Sequence, residues 1–350
     1  MAGVAIGIQY LASIVARLRL TRLIDDYVDG GHARLVGRIG AVGVIAGTAL
    51  LVVAGAGVGA DASVAGMPLL MVLGAAVSGL GNGTFTTASN ASVATSVPVS
   101  RRAEAIGYFG LTISIGQAVG AGTGYSLFQV EFAAPFVAAI ALMIVGTAVW
   151  PRAAVVSPLS EAAERVAFDP RILGPSLAMF LYVVGHSSNF AFVPLLASAR
   201  HIDEPGVYYL AQAFAAAGGR LFIGRIADAR GRMAVLVPGL LLAAVGLFVT
   251  SQADSTLALG IAGFLIGLAF VASHSTLQTL AVDTAGPRDR GAAIAMSWIA
   301  GDTGVVVGSV LGGFGAGVLG YDRLFLALSI FPLLSLLALV TWRAIDGRAH

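Results

Sequence analysis

Eleven apolar runs, separated by short polar segments, alternate along the chain. They cover approximately 2–20, 38–60, 67–97, 103–128, 132–150, 171–199, 206–227, 233–251, 255–282, 291–318 and 323–342. A hydrocarbon core about 30 Å thick is crossed by about 20 residues of α-helix. Open strands in lipid would leave backbone groups unpaired, so the runs predict helices. The predicted fold is therefore an all-α polytopic membrane protein with about eleven transmembrane helices. The longest polar interruption, "PRAAVVSPLSEAAERVAF" over 151–168, holds two prolines and charges of both signs, and it separates five helices from six. The expected organisation is an N-terminal bundle over 1–150, a linker over 151–170 and a C-terminal bundle over 171–350.

The polar segments are not equivalent. When the gaps are numbered alternately, eighteen arginines fall on one side, and only Arg200 and Arg323 on the other. The crowded side is predicted to be cytoplasmic, because basic loops are retained there. The amino terminus then lies outside and the carboxyl terminus inside, in a multi-pass protein of the cytoplasmic (inner) membrane. The two halves also repeat each other. "RLRLTRLID" ending at Asp25 matches "RLFIGRIAD" ending at Asp228 at an offset of 203. At an offset of 188, Arg102 matches Arg290, and Gly116, Gly120 and Gly124 match Gly304, Gly308 and Gly312. Internal repeats in a polytopic chain point to a transporter built from related halves.

Composition sharpens this picture. Hydrophobic residues make up 57% and charged residues 11% of the 350, where a soluble domain carries about 25% charged residues. Mean hydropathy is +0.90. Such a chain cannot cover itself with polar groups, so its main solvent is the lipid bilayer. Net charge is only +2, and all 20 basic residues are arginines lying between apolar runs, so nucleic acid is not an expected partner. The absence of cysteine excludes disulfides and thiolate metal sites, and the five histidines lack metal-ligand spacing. No metal and no cofactor are expected. The first run lacks a small-residue cleavage site and reads as a retained helix. No nucleophile or phosphate-binding constellation is present, so an enzyme is not expected.

"GRIADARGR" over 224–232 resembles the G-x-x-x-D-x-x-G-R loop motif of the major facilitator superfamily. By that resemblance Gly224, Arg225, Asp228, Gly231 and Arg232 form a conformational motif. "TRLIDDYVDGGHAR" occupies the first-half position around Asp25 in degraded form, with Thr21 where the family has glycine. "GYFGLTISIGQAVGAGTGY" is similar to the fifth-helix antiporter motif of the family. Gly107, Gly116, Gly120 and Gly124 match its spacing, while Ala121 replaces its proline and Tyr125 its last glycine. Glycines at i, i+4 and i+8 line one helix stripe and let a neighbouring backbone approach closely. For Gly304, Gly308 and Gly312 simple packing is the preferred reading. The resemblance implies two pseudosymmetric bundles working by alternating access. It also implies twelve helices, and the segment at Ala2 aligns with the second, so the first has no counterpart in this sequence. Asp228 is expected near the amino end of the helix starting at Arg102, with Arg225, Arg230 and Arg232 completing a charge cluster that latches one state.

Three helices that the family places around its cavity carry polar faces near mid-membrane. These are Asn82, Thr86 and Ser89 or Asn90; Tyr182, His186 and Asn189; and Phe270, His274 and Gln278. Gln117 and Asp302 lie at similar depth. Asn82, Thr86, Gln117, Tyr182, His186, Asn189, His274 and Gln278 are therefore the expected substrate-binding residues. The plainer alternative is that each hydrogen-bonds a neighbouring helix, and it is preferred for Thr86, Ser89, Asn90 and Gln117. Ionisable groups at membrane depth are costly and are functional candidates by default. Asp302, His186 and His274 are accordingly the proton-coupling candidates. Drug exporters of the family usually carry an arginine in the fourth helix, yet none occurs between Arg38 and Arg101. The expected function is a secondary transporter, monomeric, exporting a small amphipathic compound or metabolite with protons as coupling ion. A sugar or other polar-metabolite transporter of the same fold is one alternative. A non-transporting sensor or decayed paralogue is another.

Overall fold

The computed structural model describes residues 2–28, 33–59, 67–98, 101–150, 170–285 and 290–346. Every regular element among them is helical. The first five helices are α1 (Ala2–Val28), α2 (Ala33–Gly59), α3 (Met67–Thr95), α4 (Arg102–Val130) and α5 (Ala134–Ala148). After a 3-10 turn (Pro170–Ile172) come α6 (Leu173–Ala199), α7 (Gly206–Arg230) and α8 (Met233–Gln252). Next, α9 (Thr256–Phe270), a π-helical turn (Val271–Ser275) and α10 (Thr276–Thr284) follow one another without interruption. α11 (Arg290–Leu328) and α12 (Ile330–Asp346) close the chain. The linker expected over 151–170 lies, apart from Pro170, outside the described residues.

Each predicted run is found as helix, and two differences have clear causes. α1 and α7 continue past their apolar runs, because helical backbone bonds do not stop where the lipid does. Arg22 and Arg230 therefore sit inside helices rather than in loops. α11 continues from the tenth run into the start of the last, broken at Gly320 (φ 78, ψ 166), a conformation that glycine adopts at little cost. The chain reverses at that break. α11 runs parallel to α6, since Gly304 faces Phe180 and Val183 while Gly312 faces Ser188 and Phe192. α12 returns antiparallel to α6, with Phe331 beside Gly185 and Trp342 beside Gly174. Among the described residues, five helical stretches are long and apolar enough to cross a membrane, or six if the bent α6 counts as one span. Polar and glycine-rich segments lower the hydropathy of the others, and Ala134–Ala148 is apolar but short.

The chain divides into two compact units, the first built on α1–α5 and the second on α6–α12. In the first, α2 and α3 are antiparallel and in backbone contact, and a Cβ on Gly43 would come 2.9 Å from the Gly81 Cα. Trp150, just after α5, closes this unit, edge-on to Phe85 at 5.5 Å and donating from Nε1 to Ser92 Oγ at 3.4 Å. The internal repeat reappears as packing. Gly79 of α3 abuts the Gln9 backbone of α1, and Gly267 of α9 abuts the Gln212 backbone of α7. Those pairs are related by the two sequence offsets, 203 for the glutamines and 188 for the glycines. The same helix contact has been built twice.

Candidate functional site

The second unit brings α6, the π-helical turn and α11 together along a column of rings. Tyr182 stacks on His186 at 5.5 Å, both on one face of α6. His186 stacks on Phe270 at 5.2 Å, and Phe270 on His274 at 5.0 Å. Trp298 of α11 meets His274 edge-on at 6.4 Å. Ring pairs at these separations attract beyond the apolar area they bury. His274 lies inside the π-helical turn, whose extra residue rotates the following side chains relative to an α-helix. Single π turns within α-helices recur at functional sites.

Several buried polar atoms of this unit have no protein partner, and two of them, on Tyr182 and Asn189, belong to residues of α6 that line or adjoin the column. Tyr182 Oη, Asn189 Oδ1, Gln212 Oε1, Ser273 Oγ and Arg220 Nη2 are all buried with no hydrogen-bond partner. Buried polar groups are otherwise nearly always paired, so a group of orphans marks a place for water or a ligand. Asn189 is itself fixed from both sides: its Nδ2 lies 3.4 Å from His186 Nδ1, and its carbonyl accepts from Tyr209 Oη at 3.2 Å. The two imidazoles act on each other electrostatically, and Arg220 acts on His274. Asp302 is 5% exposed and stands one helical turn beyond Trp298 on the same helix.

The expected site residues fare unequally. Tyr182, His186, Asn189 and His274 meet in the column. Gln278 lies one turn beyond His274 and is half-buried. Asn82 and Thr86 belong to the first unit, where Thr86 Oγ1 donates to the Asn82 carbonyl at 2.8 Å. Ser89 donates to Phe85 and Asn90 to Thr86 in the same way, so these side chains satisfy themselves on their own helix. The side chains of Gln117, Gly107 and Asp25 lie outside what the structure describes. The stripe on α4 does not carry the expected close packing: among the described residues, no atom lies within 4 Å of a Cβ placed on Gly116, Gly120 or Gly124. In contrast, Gly304, Gly308 and Gly312 are packed on α6.

Three residues of this unit were not anticipated. Trp298 is a single ring among many, and nothing in its local sequence sets it apart. Arg220 was grouped with the basic flank, although ten residues separate it from Arg230, which places it about 15 Å inside the helix. Asp283 completes the loop motif. Arg232 Nη1 donates to Asp228 Oδ1 at 2.6 Å, and its Nε donates to Asp283 Oδ2 at 2.9 Å. One guanidinium thus ties the end of α7 to the end of α10. Partial burial of Arg232 disfavours its charge, but the two carboxylates outweigh that and hold its pKa above the ordinary arginine value. At the opposite end, Arg200 donates to the Ser251 and Ala253 carbonyls and pairs with Asp322 at 2.8 Å.

A family model described as Major Facilitator Superfamily matches residues 1–303 and again residues 176–349. The chain belongs to the Major Facilitator Superfamily. It is therefore a multi-pass membrane protein and a secondary transporter of small molecules, not an enzyme. Membership accounts for the two related halves, for "GRIADARGR" between α7 and α8, and for the degraded counterpart around Asp25. No curated protein matches the chain.

Proposed function

We propose that this superfamily member exports a small amphipathic compound against proton entry, and that the ring column of α6, α9–α10 and α11 forms part of its substrate site. The observation that carries this reading is the coincidence of stacked rings with buried, unpartnered polar atoms. Flat apolar faces and a few unsatisfied donors and acceptors are what an amphipathic guest requires. Protons are the coupling ion in this reading because His186, His274 and Asp302 are the titratable groups nearest the column, and each can change charge as access alternates. The arginine asymmetry supports a carboxyl terminus on the cytoplasmic side of the inner membrane. The loop motif acts as a latch, with Asp228 engaged in one conformation and released in the other.

Proteoliposomes with an imposed pH difference test the coupling. Asp302→Asn should abolish gradient-driven movement of an amphipathic probe, such as a fluorescent hydrophobic amine or acid, while sparing its passive exchange. Unchanged gradient-driven transport in that variant would remove Asp302 from the coupling step. His186→Gln and His274→Gln measured alongside then identify which imidazole, if either, carries the proton.

A further inference from the structure

We infer that the C-terminal bundle accepts an anion, and that the substrate is a small flat monocarboxylate whose charge is held by Arg220 and whose body stacks in the column of rings. This rests on the column being the substrate site, as proposed above, and adds the chemical class of the guest.

The argument begins with the placement of Arg220. It shares a face of α7 with Ala216, Ile223 and Ala227, at spacings of four, three and seven residues. Those three alanine and isoleucine side chains belong to an apolar cluster with Val235, Val271 and Ala272, bordered by Phe270. A guanidinium stays ionised under all ordinary conditions. At membrane depth such a charge is costly unless an acid, a carbonyl or water answers it. Here Nη2 is buried with no hydrogen-bond partner. No ion pair to a carboxylate is formed by Arg220 among the described residues.

α7 packs against α8, α9 and the π turn, and the titratable groups of this unit near membrane depth do not reverse that imbalance. α6 offers Tyr182 and His186, the π turn offers His274, and α8 has no titratable side chain. α11 offers Asp302, which has interactions of its own. Two imidazoles, one guanidinium and one carboxyl group sum to a neutral or positive charge, never a negative one. A carboxylate matches a guanidinium fork with two parallel charge-assisted bonds. A cationic guest would meet repulsion from Arg220, so the same residue selects by exclusion. The rings of His186, Phe270 and His274 then favour a planar body over a flexible chain.

The test uses the full-length protein in phosphatidylcholine liposomes free of anionic lipid. Binding of radiolabelled 1-naphthoate is compared with that of 1-naphthamide and 1-naphthylmethylammonium, which have the same body but no negative charge. Wild type should prefer the carboxylate by about tenfold or more, equivalent to about 1.4 kcal/mol. Arg220→Gln should reduce that preference to within about twofold, and Arg220→Lys should keep most of it. Retained elution volume and thermal midpoint in both variants exclude a folding defect. Equal binding of acid and amide by wild type, an undiminished preference in Arg220→Gln, or no binding of the acid overturns the inference. The two proposals fail separately. Proton-driven transport of the neutral or cationic naphthyl compound would remove the anion site and leave export standing. Arg220-dependent binding of the acid without any response to a pH gradient would do the reverse.

Discussion

At the scale of single residues, the clearest finding is that Arg232 serves two carboxylates at once. Its side chain is 27% exposed, while Asp228 and Asp283 are 70% and 49% exposed. Pairs this wet contribute about 0–1 kcal/mol, since solvent screens them and long side chains lose entropy in forming them. In the proposed latch, their value lies less in static stability than in being made and broken between states. Asp228→Asn and Asp283→Asn are each expected to cut transport several-fold while lowering the thermal midpoint by no more than 2–4 °C, a shift of about 1 kcal/mol in a chain of this size. Parallel measurement of transport and of folded protein in the membrane checks this. Loss of both in proportion would reduce the motif to a structural brace. Asp228 was legible in the sequence because its spacing from Gly231 is specific. Asp283 was not, because 51 residues separate it from Arg232 and only the fold brings them together.

At the scale of elements, two glycine stripes with the same spacing behave differently. Gly304, Gly308 and Gly312 let α11 lie against α6, so that a Cβ on Gly304 would come 2.8 Å from the Phe180 carbonyl oxygen. The stripe on α4 meets nothing within 4 Å among the described residues. Gly308→Leu should therefore cost about 1–3 kcal/mol through overpacking, visible as a lowered thermal midpoint and poor recovery. Gly120→Leu should leave the midpoint within error. If its stripe serves a contact made in another state of the cycle, transport should still fall. A destabilised Gly120→Leu would show that the stripe is packed after all, and an unaffected transport rate would show that it is idle. Sequence spacing revealed both stripes, since helical periodicity is local, but it carries no information about which helix lies opposite.

At the scale of the whole molecule, the two-fold repeat and the arginine asymmetry describe one design. The repeat offsets of 203 and 188 recover equivalent helix contacts in both units, Gln9 with Gly79 and Gln212 with Gly267. The asymmetry of eighteen arginines against two predicts a cytoplasmic carboxyl terminus. A reporter fused after His350 is expected to be cytoplasmic, and reporters inserted at Asp61 and at Asp254 external. Phosphatase and fluorescent-protein fusions read this directly. An external carboxyl terminus would overturn the orientation.

Helix number, the internal repeat and the superfamily were determined by the sequence alone, because hydropathy, periodicity and spacing act over neighbouring residues. The polar faces carrying Tyr182, His186, Asn189 and His274 were readable for the same reason. Only the tertiary structure decided that His186 and His274, 88 residues apart, share one column through Phe270, and that Trp298 caps it. It also decided that Arg220 is half-buried with one unanswered nitrogen rather than a flank, and that, among the described residues, one glycine stripe packs while its repeat partner does not. Each of these depends on what stands across a helix interface. A helix face announces its own chemistry, but its partner is chosen by the packing of the bundle.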